Sequence, residues 1–140
     1  MGRGTESRSS SISAICGRIS SSTTCLRLCG LWPESVCSGS FILQAAGLLD
    51  GRSATTHWKA IGALRALGVD VVEERFVHDG PVWSSGGVSA GIDMTLAFIA
   101  DQAGEQAAYE TQMNAEYFPD GRRYGHPETH PQVPLYVKRP

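Results

Sequence analysis

Long apolar runs are missing from this chain. No stretch approaches the roughly 18–20 consecutive apolar residues that a membrane helix requires, which excludes a helical bilayer span. Clustered basic residues are scarce as well: residues 1–30 hold four Arg against one Glu, but residues 31–140 hold eight basic side chains against thirteen acidic ones. An acidic body with no basic stripe lacks the countercharge that phosphate-driven nucleic-acid binding needs. Cysteine is absent beyond position 37, since all four (Cys16, Cys25, Cys29 and Cys37) lie near the start, so no disulfide framework staples the remainder and a reducing compartment fits better. Cys25 and Cys29 have no second Cys or His pair at zinc-ligand spacing nearby, and Pro127 interrupts the helix that would align His126 with His130; both metal readings are discounted.

What is present is an ordinary soluble composition. With 140 residues, 41% hydrophobic and 19% charged, the chain is long enough for one domain with a true core. Its character changes near residue 30. Residues 1–30 carry eight Ser and no sustained period of 2 or 3.6, and read as an irregular Ser/Arg-rich leader. That composition also suits an organelle transit peptide, so a cytoplasmic location is the primary expectation and organelle targeting its alternative. Residues 31–118 form the domain proper. Residues 119–140 hold five of the seven prolines and read as a tail wrapped on a surface, neither regular helix nor central strand.

Within the domain, Leu31 to Val36 predicts a short strand, Cys37 to Ser40 a tight turn, and Phe41 to Leu49 a helix stopped by Gly47 and Asp50-Gly51. An extended piece over 52–56 leads to a helix starting at Thr56 or His57, with Trp58, Ile61, Leu64, Ala66 and Leu67 on one buried face. Val69 to Val72, Phe76-Val77 and Val82-Trp83 predict short strands, the last two joined as a hairpin through 78–81. Ser89 is placed to cap a helix ending near Gly104, and Glu105 to Tyr117 predicts one more. Tyr117, Phe118, Tyr124 and Tyr136 are candidates to pin the tail to the domain. Strands alternating with helices indicate an α/β fold with a partly parallel sheet.

Cys37 is the candidate nucleophile, because it sits between strand and helix, where unpaired N–H groups favour a thiolate. Ser38, Gly39 and Ser40 are small enough for a sharp turn that brings backbone N–H groups to a substrate, with the N–H of Ser38 as the oxyanion donor. The opposing reading is a buried, inert thiol. His57, at a strand end twenty residues on, is the candidate acid, base or orienting group; a structural hydrogen-bonding role is its alternative. Ser84-Ser85-Gly86-Gly87 ahead of a helix reads either as an anion-binding loop or as a plain turn.

The segments Val36-Cys37-Ser38-Gly39-Ser40, Ala45 to Gly51 and Ala54-Thr55-Thr56-His57-Trp58 closely resemble the ThiJ/PfpI family, which shares its fold with class I glutamine amidotransferase domains. Ser84 to Asp93 resembles the loop and helix of that family's isonitrile hydratase branch. The resemblance implies a flavodoxin-like three-layer α/β sandwich, incomplete in its N-terminal half because only 36 residues precede Cys37. It implies a homodimer, no cofactor, Cys37 as nucleophile assisted by Ser38, His57 beside the cysteine, and Ser38 with Gly39 at the substrate. The partner it implies is a small-molecule electrophile, with an isonitrile hydrated to an N-substituted formamide. Glu6 and Glu34 are the acids ahead of Cys37, and neither stands in the strand context of the family's acid, so truncation is expected to impair the pocket. A ligand-sensing domain and a redox-responsive cysteine protein are the non-catalytic alternatives.

Overall fold

The computed structural model describes residues 31–119 and 124–138; the expected leader, with Cys16, Cys25 and Cys29, lies outside the described residues. Strand β1 (Glu34–Val36) passes through a 3-10 turn (Cys37–Gly39) into helix α1 (Ser40–Ala45). Strand β2 (Ser53–Ala54), a second 3-10 turn (Trp58–Ala60), helix α2 (Ile61–Ala66) and strand β3 (Asp70–Val71) follow. The hairpin β4 (Phe76–Asp79) and β5 (Val82–Ser85) then leads to the long helix α3 (Val88–Ala103) and to α4 (Glu105–Asn114).

β1 and β5 pair in parallel, Glu34 opposite Trp83 and Val36 opposite Ser85, and β5 pairs antiparallel with β4, giving the order β1-β5-β4. β2 and β3 form a separate parallel pair. Side chains bridge the two sheets: the amide of Thr55 donates to Ser84 Oγ at 2.9 Å, and the amide of Ser53 donates to Asp79 Oδ2 at 2.8 Å. Successive residues of a strand face opposite ways, and β5 uses both faces. Val82 joins the core of Leu49, Ala54, Ile61, Leu64, Val69 and Val71, against which Phe41 and Leu43 of α1 and Trp58 of the second 3-10 turn pack. Trp83 points the other way, against Phe98 of α3 at a 5.7 Å centroid separation and stacked on His78 at 3.8 Å. Helices therefore lie on both faces of the strands.

The expected strands and the hairpin form; β1, β2 and β3 are shortened to two or three residues, whereas both hairpin strands extend to four, leaving Gly80 and Pro81 as the turn. Four expectations do not hold. Gly87, in extended conformation, is the N-cap of α3, and Ser89 lies inside the first turn, where its hydroxyl accepts from Arg75 Nη2 at 3.5 Å. Ala66 and Leu67 are exposed, because α2 spans only six residues and its buried face ends at Leu64. α4 stops at Asn114 rather than Tyr117. The tail does contain helical turns, at Pro127–Thr129 and Leu135–Lys138, since Pro is tolerated at a first helical position.

Tyr117 does anchor the end of α4: its hydroxyl donates to Asp93 Oδ1 at 2.7 Å, and Asp93 in turn holds Arg75. Phe118 and Tyr124 are largely exposed. Bonding to Asp93, with loss of solvent and the carboxylate's charge adding to it, raises the Tyr117 phenol above its ordinary range. Because the native value lies above the unfolded one, near 10, the contribution of this bond is complete below about pH 10 and is lost as pH rises through the native value. Tyr117→Phe is expected to remove that alkaline dependence, read from urea midpoints across pH 8–12.

Gly80 starts the hairpin turn at φ +64°, ahead of Pro81, and an added Cβ would collide with the guanidinium of Arg52, which pairs with Asp79 at 3.7 Å. Gly51 has a similar φ of +67° but open space around it. Gly51→Ala is expected to lower stability by about 1–2 kcal/mol from backbone strain alone. Gly80→Ala is expected to cost about 1 kcal/mol more, because Arg52 must also leave its partner. Chemical denaturation of both variants measures the difference.

Candidate functional site

Cys37 has a φ of +58°, a left-handed conformation that a non-glycine residue rarely adopts. Val36 before it is extended (φ −117°, ψ 137°), so the chain turns abruptly at the cysteine itself. Such a conformation costs on the order of 1–3 kcal/mol and persists only where the surroundings hold it. The hold is visible: the carbonyl of Cys37 accepts from Thr56 Oγ1 at 2.8 Å and from Ser40 Oγ at 3.3 Å. Both hydroxyl residues are buried, whereas Cys37 is only half-buried and is not in a disulfide.

The small residues after Cys37 contribute less than expected. Gly39 is right-handed (φ −58°), and a Cβ there would meet Ser35 Cβ at 3.4 Å, an ordinary contact. The strain sits on Cys37 and not on its glycine neighbour. Ser38 is exposed at the start of the turn. α1 is only six residues long and begins after the 3-10 turn, so a hydroxyl clamp, more than a long helix dipole, defines the position of the cysteine.

His57 caps the 3-10 turn that precedes α2. Its Nδ1 accepts from the amide of Lys59 at 3.3 Å, which places the proton of the neutral ring on Nε2. The ring lies over Trp58 at 5.6 Å and beside Gly87, where a Cβ would meet His57 Cδ2 at 3.9 Å. Among the described residues no hydrogen bond joins His57 to Cys37; their link is Thr56, whose side chain touches the cysteine turn and whose chain neighbour is His57. Glu34 lies in β1 opposite Trp83, its carboxyl raised by loss of solvent even though the residue is exposed overall.

Thr56 holds the cysteine turn, although the local pattern marks it only as a possible helix start. Nothing in that pattern reveals that its hydroxyl reaches a carbonyl nineteen positions away. Ser84-Ser85-Gly86-Gly87 forms the end of β5 and the cap of α3; Ser84 and Ser85 are buried and spend their hydroxyls on Thr55 and on the carbonyl of Ser35. That loop serves the fold. His126 lies at the cap of the Pro127–Thr129 turn and His130 packs edge-on to Trp58 at 5.2 Å.

The isonitrile hydratase of Pseudomonas putida is 45% identical to this chain over 85 residues, covering 61% of the chain and 37% of that protein. The HTH-type transcriptional regulator CdhR of Pseudomonas aeruginosa is 44% identical over 87 residues, covering 61% of the chain and 25% of the regulator. Among solved structures, a ThiJ/PfpI family protein from Pseudomonas syringae superposes with a TM-score of 0.63 at 40% identity, over 75% of this chain and 43% of that one. DJ-1 of Schizosaccharomyces pombe superposes with a TM-score of 0.54 at 19% identity, a likeness of fold alone. The chain thus spans less than half the length of these relatives, and its fold is α/β of the flavodoxin-like, class I glutamine amidotransferase-like type. The sequence pattern of the DJ-1/PfpI family matches residues 30–101, just over half of the 140 residues, and the chain belongs to that family.

Proposed function

We propose that this chain carries the nucleophile-bearing half of an isonitrile hydratase-like enzyme, with Cys37 as the attacking residue. The observation that carries the reading is the left-handed Cys37, strained at a strand-to-helix turn and clamped through its carbonyl by Thr56 and Ser40. Backbone strain collects at reacting residues because it fixes a side chain in one exposed direction. The identity to isonitrile hydratase across this segment supports the same substrate class.

In the proposed reaction the Cys37 sulfur adds to the terminal carbon of the isonitrile and a proton is delivered to that carbon, giving a thioimidate. Water then adds to the thioimidate carbon, the carbon–sulfur bond breaks, sulfur regains a proton and an N-substituted formamide leaves. The net change is addition of one water. His57, with its proton on Nε2, is the proposed proton donor and acceptor; the N–H of Ser38 and the adjoining Gly39 are proposed to hold the substrate. Thr56 is a positioning residue.

Cys37→Ser is expected to lower formamide production by about 10³-fold or more while the thermal midpoint changes little. His57→Ala is expected to slow it by about 10²-fold. Chromatography of the formamide product measures both, and turnover by Cys37→Ser equal to wild type would overturn the proposal. Thr56→Val removes the shorter of the two hydrogen bonds to the Cys37 carbonyl; it is expected to cost about 1 kcal/mol of stability and to lower kcat more than it changes KM.

A second reading is a ligand-sensing domain, favoured by the 44% and 40% identity to two proteins named as HTH-type transcriptional regulators, CdhR and GlxA. Saturable isonitrile binding with no formamide formed would select it.

A further inference from the structure

The C-terminal tail builds a cavity against Trp58. Pro127, Val133, Pro134, Tyr136 and Val137 come back against Trp58 and enclose about 290 Å³. His130 also borders it, edge-on to Trp58, with its Nδ1 accepting from the amide of Gln132 at 3.2 Å. The lining is therefore almost wholly apolar. An engineered apolar cavity of about 150 Å³ holds benzene, so this one has room for a group of several carbons.

One short segment links the cavity wall to the cysteine turn. Trp58 carries His57 on its ring, and Thr56, two residues before Trp58, holds the Cys37 carbonyl. Tyr136 closes the same corner: a Cβ on Gly86 would lie 3.3 Å from the Tyr136 hydroxyl and 3.7 Å from the Thr56 carbonyl. Three consecutive residues, Thr56 to Trp58, thus run from the cysteine to the cavity.

Charge selects among occupants. A second cavity of about 340 Å³, bounded by Arg75, Tyr124 and Tyr136, adjoins the first through Pro127, Tyr136 and Val137. Its one guanidinium is already neutralised by Asp93, with Nε donating at 2.5 Å, so it offers little to an anionic substituent. The Tyr136 phenol is neutral at neutral pH, and burial raises it further above its ordinary range.

We propose that the Trp58 cavity receives the uncharged, apolar N-substituent of the electrophile that Cys37 attacks, so that the C-terminal tail sets substrate preference. This rests on the reading of Cys37 as the reacting residue, but its test separates the two. N-alkylformamides from methyl to hexyl are titrated into the full chain, following the indole N–H resonance of Trp58. Each added methylene is expected to tighten Kd about two- to fourfold until the cavity is full, with the Trp58 resonance shifting. Val133→Asn and Val137→Asn are expected to collapse the series toward the value of the methyl compound. The matching n-alkyl isonitriles are assayed for formamide in parallel. A length-dependent formamide series with no isonitrile turnover would sink the enzyme reading and leave the cavity assignment standing. A flat series, or length dependence that survives both valine variants, would overturn the cavity assignment whether or not isonitriles are turned over.

Discussion

The hydrogen bond from Thr56 to the carbonyl of Cys37 joins the two ends of this structure that matter most. On one side stands β1 with the left-handed cysteine that follows it; on the other, β2 and the turn bearing His57 and Trp58. A left-handed cysteine relaxes unless something over-determines it, and here a buried threonine and a buried serine do so together. Thr55, the residue before, binds Ser84 of β5 and the carbonyl of Glu74. The clamp is thereby referred to the hairpin and not left to a loop.

The hairpin serves as a spine because β5 is buried on both faces. Val82 and Ser84 face the core and β2, while Trp83 and Ser85 face α3. α3 comes so near β1 that a Cβ on Gly91 would lie 3.0 Å from both methyls of Val36, which leaves a glycine as the natural occupant. On the outer side the arrangement is open: β1 is an edge strand among the described residues, and Val36, Val88 and Ile92 are exposed. Parallel strands are ordinarily covered, so this edge is the least protected part of the described sheet.

The tail illustrates how proline is used once a surface is available to it. Its prolines interrupt long-range backbone ladders, yet short helical turns at Pro127–Thr129 and Leu135–Lys138 still form and present Val133, Tyr136 and Val137 to Trp58. Two tyrosines find different tasks. Tyr117 secures the end of α4 to Asp93, and Tyr136 fills the corner against Gly86.

The sequence by itself determined the order of elements, the turn at Cys37 and the family motif, because these depend on local chemistry: alternation, glycine placement, and a cysteine between a strand and a helix. It also placed Ile61 and Leu64 on the buried face of α2, since periodicity over a few residues is a local property. It did not reveal that the left-handed residue is Cys37 rather than Gly39, that Thr56 holds it, or that Gly87 and not Ser89 caps α3. Nor did it place Trp58 beside residues some seventy positions later. Those outcomes required tertiary structure: strain at one residue is decided by which distant donors reach its carbonyl, and a cavity exists only where two far-apart segments meet without filling the space between them.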